Sequence, residues 1–211
     1  MRNRVVKYIV ILGLLAFLGF KSVYFRKLDE VNSQSGVSNF DADAFARSFY
    51  KDKLPLAIDS AVDLNTLVSL LNKDPEAAVK RYAHALAIGN ICYFLVRGEG
   101  TVARLTDTGV TVNATNATSK PVATIATEFI YGNAIRDASG LVQLSDFNNT
   151  AELNSVSESV NKIVRAEVIP PFVAKAKEGS AVQFVGAVEL NKKYLELDTI
   201  EVVPVRLNVL N

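Results

Sequence analysis

Tryptophan is absent from this chain of 211 residues, and cysteine, histidine and methionine occur once each. A single cysteine, Cys92, excludes an intramolecular disulfide, so the fold must rest on its apolar core. One histidine, His84, and one cysteine cannot supply the three or four ligands of a zinc site. Neither is accompanied by the base, nucleophile and orienting group that covalent catalysis requires. We therefore expect no metal, no cofactor and no catalytic residue. His84 is expected in a structural role on a helix surface or partly buried, and Cys92, inside the apolar "ICYFLV", in core packing. Gly98-Glu99-Gly100 lacks the glycine spacing and following Lys-Ser/Thr of a phosphate loop and reads as a bend in a strand. Asp41, Asp43, Asp59 and Asp63 do not have the spacing of a calcium loop and read as helix caps and a solvated face.

Positive charge is scarce where a nucleic-acid binder would need it. Residues 1–27 hold six basic side chains and no acidic one, which leaves 17 basic against 22 acidic residues, a net of −5, in the rest. A body of that sign has no electrostatic attraction for phosphate backbones. Tyr93, Phe94, Phe129 and Tyr131 resemble the aromatic platform on which single-stranded bases stack, but the basic groove that must accompany it is missing. No nucleic-acid partner is expected.

One long uncharged run is present: Tyr8 to Phe20, "YIVILGLLAFLGF", with Arg2, Arg4 and Lys7 before it and Lys21, Arg26 and Lys27 after it. A cleaved secretory signal would end in small residues, yet Leu18, Phe20 and Lys21 stand there. A lipoprotein signal would need a cysteine just past the apolar run, and Phe20 stands there instead. Thirteen residues are short against the roughly 20 that span a bilayer. Snorkelling of Lys7 and Lys21 extends the segment towards Phe25, with Tyr8, Tyr24 and Phe25 at the interfaces. The expectation is a single transmembrane helix within residues 1–27 that leaves the body in the periplasm, anchored to the inner, cytoplasmic membrane. Residues 28–39, polar and poor in aromatics, read as a tether.

From residue 40 to 88 the apolar spacing is helical. Phe45 and Phe49 lie one turn apart. Leu64, Leu67, Val68 and Leu71 share a face behind the N-cap candidate Asp63, and Asp74-Pro75 repeats the start signal. From residue 89 to 211 the period changes to two. Strands are expected over "ICYFLVRGEGTVARL", "VTVNA" and "PVATIATEFIYG", the last with Ile125, Phe129 and Tyr131 on one side. An irregular stretch and a helix with Val156, Val160, Ile163 and Val164 inward come next; Pro170-Pro171 should stop or offset that helix. Two closing strands should bury Val182, Phe184, Val188 and Leu190, then Val203, Val205, Leu207 and Val209. Gly186 would permit a bend, and Pro204 an edge or bulge. The fold class is α+β: a small helical subdomain, then an OB-like five-stranded β-barrel with a helix between strands 3 and 4.

The segment "GNAIRDASG" carries the candidate site. Asn133, Arg136 and Asp137 follow the third strand, with Asp146 and Asn149 close in sequence. Guanidinium, carboxylate and amide groups bind hydroxyls or a carboxylate through paired hydrogen bonds. The competing reading is an Arg136–Asp137 ion pair that fixes the crossover from barrel to helix.

"FDADAFARSFYKDKLPLAIDSAVDL", "YFLVRGEGTV", "GNAIRDASG", "SDFNN" and "VPVRLNVL", in that order, resemble the predicted periplasmic lipoproteins of domain-of-unknown-function family 2291, over roughly residues 40–210. The resemblance implies a small helical subdomain with an OB-like barrel and an extracytoplasmic, membrane-attached protein. It also implies a place beside sugar-uptake ABC transporters, whose subunits or a small solute would be the partner. It carries no catalytic residues. The function expected is that of a non-enzymatic accessory binding protein. The alternatives are an OB-fold nucleic-acid binder and an envelope enzyme.

Overall fold

The computed structural model describes residues 40–86, 88–115 and 122–210, together with Arg4, Val6, Tyr8, Ile11 and Phe17. The expected membrane helix and the tether over 28–39 lie outside the described residues, apart from those five positions. Among the described residues no helix is long and apolar enough to cross a membrane. Residues 41–211 form one compact unit.

Four aspartate or asparagine caps start the principal helices. The Asp41 carboxylate accepts from the Ala44 amide at the head of α1 (Ala42–Ser48). A π turn over Phe49–Lys53 leads into α2 (Leu54–Asp59), and after the two-residue strand β1 (Val62–Asp63) comes α3 (Leu64–Lys73). Asp63 caps α3 through the Thr66 amide at 2.9 Å, and Asp74 caps α4 (Pro75–Tyr82) through the Ala77 amide at 3.0 Å. Each bond satisfies an amide that the first helical turn leaves without a partner. Leu64, Leu67, Val68 and Leu71 are all buried, as their spacing predicts.

Barrel strands follow: β2 (Ile91–Leu105), β3 (Gly109–Ala114), β4 (Val122–Ala126), β5 (Ala181–Asn191) and β6 (Thr199–Leu210). β2 pairs antiparallel with β5 over residues 91–101 and with β3 beyond residue 100; β4 and β6 run parallel, and β5–β6 closes the circuit β2-β3-β4-β6-β5. β1 adds a short parallel pairing to Val96 and Arg97. Three strands, a helical connection, then two strands is the OB order expected from the sequence, and the structure adds that the third and fifth barrel strands run parallel. β2 serves two partners because it bends at Gly98 and Gly100. A Cβ on Gly98 would stand 2.4 Å from the Phe184 ring, and one on Gly100 would stand 2.3 Å from the Asn113 carbonyl. The interior is filled by Phe94, Val96, Val112, Ile125, Phe184 and Val202, and the apolar face of α3 belongs to the same core.

The connection between β4 and β5 contains α5 (Ala134–Ala138), a 3₁₀ turn (Leu144–Asp146) and α6 (Thr150–Ile163), which α1 packs against. A π turn (Val164–Val168) then leads into α7 (Ile169–Val173). Pro170-Pro171 offset the helix and do not stop it. The wider π turn just before them relieves the crowding of a proline ring against the preceding turn, and Pro55 follows the other π turn in the same way.

Three sequence expectations are corrected. Val203 is not among the most deeply buried residues of β6; Ile200, Val202 and Val205 are, because the pairing skips Val205 between Arg206 and Pro204 and this bulge reverses the alternation. Strand β4 ends at Ala126, so Phe129 and Tyr131 are exposed and Ile130 between them is buried. The stretch after residue 133 is not irregular throughout, since it holds α5.

Candidate functional site

Helix α5 packs against β2, β5 and α6, and it carries two charged side chains into that packing. Arg136 is 5% exposed and Asp137 4%. The Arg136 Nε donates to Asp137 Oδ1 at 2.6 Å, and its Nη1 donates to Ser157 Oγ at 2.8 Å and to the Leu153 carbonyl at 3.1 Å. Asn133 Nδ2 donates to the other carboxylate oxygen, Asp137 Oδ2, and lies 3.2 Å from the Tyr93 hydroxyl, which can itself donate to Asn133 Oδ1 at 3.4 Å. A buried ion pair is tolerable only when its remaining donors and acceptors find partners; Ser157, the Leu153 carbonyl and Asn133 supply three, and Tyr93 holds Asn133 in place. The Arg136 Nη2 has no acceptor among the described residues.

Sequence proximity suggested five residues in one site; the structure brings three together. Asn133, Arg136 and Asp137 form the network. Asp146 instead accepts from the Gln143 amide in the capping box of the 3₁₀ turn, and Asn149 caps α6 through the Glu152 amide. Two members were missed. Tyr93 was grouped with the aromatics of a stacking platform, yet Cys92, Phe94 and Val96 point into the barrel and Tyr93 points out of it towards α5. The alternation along "ICYFLV" carried that signal. Ser157 had no signal beyond its place on α6.

Burial, followed by the Glu189 carboxylate, pushes the Tyr93 phenol above its ordinary pKa, and Asp137 adds to the rise, so the hydroxyl stays protonated. Tyr93 also ties the network to His84 by reciprocal backbone hydrogen bonds, at 2.8 and 2.9 Å. The His84 ring lies against Gly140, whose φ of 66° and lack of a Cβ make room for it. Cys92 is buried in the barrel, as expected of a packing residue.

The network forms the floor of a cleft of about 300 Å³. Leu86, Ile88, Ile91, Leu144 and Leu153 line its walls and mouth; Tyr93, Asn133, Arg136 and Asp137 face it from below. Such a combination of apolar walls and a few convergent polar groups is the ordinary make-up of a small-molecule site. A second groove, of about 400 Å³, is polar. Arg97 and Arg206 stand there on either side of Val185 in cross-strand register. Two of its acids already have partners: Asp63 caps α3, and Glu99 accepts from Gln183 within the groove. Among the described residues no group of three or more His, Cys, Asp and Glu side chains is placed to hold a metal ion.

The family model of DUF2291, described as a predicted periplasmic lipoprotein, matches residues 13–208. Among solved structures the chain is similar to an OB-fold protein from Thermotoga maritima. The identity is 25%, the TM-score 0.72, and the match covers 82% of this chain and all of that one. No curated protein matches the chain.

Proposed function

The chain belongs to the DUF2291 family of predicted periplasmic lipoproteins, and on that premise we propose that it is a membrane-tethered binding module of the periplasm that serves a solute uptake system without catalysing a reaction. The observation that carries the reading is the cleft over Arg136 and Asp137: it has the walls and floor of a binding site, and its polar groups hold one another in place. The tether falls to the uncharged run Tyr8–Phe20. The sole cysteine is closed inside β2, where its thiol cannot take a lipid without opening the barrel. Association with the subunits of a sugar-uptake ABC transporter is part of this reading, and it rests on the family resemblance.

The experiment is chemical crosslinking of the full chain in intact membranes, followed by affinity capture. Recovery of transporter subunits is the expected result. Capture of unrelated envelope proteins alone removes the uptake association.

A further inference from the structure

The chemistry of the cleft floor restricts what it can hold, and this inference rests on the binding-module reading above. Three facts bear on it. First, Arg136 is nearly sealed from solvent, lines the cleft, and keeps Nη2 without an acceptor among the described residues. Nη2 is not sealed off, since Asn65 Oδ1 alone among the described side-chain N and O atoms is both buried and without a partner, so an acceptor atom entering the cleft can reach it. Second, the guanidinium charge is already matched by Asp137 at 2.6 Å. A ligand carboxylate would bring an excess negative charge into a site of low dielectric. A cationic head has no acceptor to offer Nη2. Third, the walls above the floor are aliphatic: Leu86, Ile88, Ile91, Leu144 and Leu153.

We propose that this cleft binds an uncharged small molecule with a carbonyl or hydroxyl oxygen at one end and a compact aliphatic body, the oxygen accepting from Arg136 Nη2 and the body lying between Ile91, Leu144 and Leu153. Asn133, fixed between Tyr93 and Asp137, positions the floor and does not select the ligand.

Isobutyramide and isobutyrate are the probes: they share shape and size and differ in charge. Each is titrated at neutral pH into the ¹⁵N-labelled periplasmic part (residues 28–211) in detergent-free buffer and, in parallel, into the full chain in nanodiscs, with chemical-shift changes as the readout. The inference expects saturable shifts confined to residues around 86–93, 133–137 and 144–153, with isobutyrate weaker by about tenfold or more. Arg136→Met should abolish the response. Because that variant disturbs a buried pair, Leu144→Glu supplies a second arm. Leu144 is 54% exposed at the mouth, so the fold is retained, and a carboxylate there should weaken isobutyramide severalfold. Isobutyrate binding as tightly as isobutyramide overturns the uncharged-ligand assignment. No saturable shift at the cleft with either probe overturns the site. Both results are independent of the crosslinking experiment: transporter capture with a silent cleft defeats this inference alone, and a responsive cleft without transporter capture defeats the uptake association alone.

Discussion

The barrel and the helical crossover that leans on it solve burial in opposite ways. Inside the barrel the described side chains are apolar: Phe94, Val96, Ile125 and Phe184 fill the space from wall to wall. The crossover holds every buried polar or charged residue among those described, namely Arg136, Asp137, Ser139, Glu152, Ser157, Ser159 and Asn161. Apolar packing is insensitive to detail, whereas a buried polar network must be satisfied bond by bond or it destabilises the fold. The barrel therefore reads as the frame, and the crossover as the part whose residues are fixed by something other than stability.

Substitution in the frame should give the largest loss. Phe184→Ala removes a ring that is 1% exposed and packed over Gly98. It should cost about 3–5 kcal/mol in urea unfolding, with cleft residues keeping their relative chemical shifts in whatever fraction remains folded. A small loss would mean that the barrel is not the principal core.

The crossover should respond to single and paired changes differently. Asp137→Asn leaves the Arg136 charge buried and uncompensated and should cost roughly 3 kcal/mol. Arg136→Met with Asp137→Leu removes both charges and should return stability to within about 1 kcal/mol of the parent. Equal losses for the single and the double variant would make the pair a stability device and erase the contrast.

Tyr50, on the π turn between α1 and α2, joins the N-terminal helices to the frame. It leaves the helical side and donates its hydroxyl to the Val205 carbonyl at the β6 bulge. Burial pushes its pKa up to about 12. The folded state thus favours the protonated phenol. The stability this gives is complete below the unfolded value near 10 and is lost as pH rises through the folded one, about 2–3 kcal/mol in all. Denaturant midpoints measured from pH 9 to pH 12 should fall accordingly, and Tyr50→Phe should remove the share that Tyr50 supplies, the raised Tyr93 phenol keeping the remainder. An unchanged slope in the variant would place the alkaline transition elsewhere.

The smallest effect belongs to the helix that only abuts the frame. Asp74→Ala removes the cap of α4 and should cost about 1 kcal/mol, read as a shift in thermal midpoint without change at the cleft.

Much of the fold is legible in the sequence because its signals are local. Asp63 and Asp74 sit where caps belong, the α3 stripe recurs at helical spacing, and the strand-and-helix order is that of the barrel. Expectation failed where a pattern is broken from a distance. The bulge that inverts β6 is set by its pairing with β5, so Val203 could not be distinguished from Val202 on alternation alone. Helix α5, five residues long, is too short to display a period. The candidate site was half legible: Arg136 and Asp137 are adjacent and meet. Asp146 and Asn149 were drawn in by nearness along the chain, although Asn149 with Glu152 three residues on is itself a helix-start signal. Tyr93, 40 residues before Asn133, comes to the site only through the packing of α5 on β2.

The most direct test of the division between frame and crossover is made on the Arg136→Met/Asp137→Leu variant, by urea unfolding and isobutyramide titration on the same sample. The account predicts a midpoint close to that of the parent and no saturable response at the cleft. A collapse in stability, or a cleft that still saturates with the probe, would contradict it.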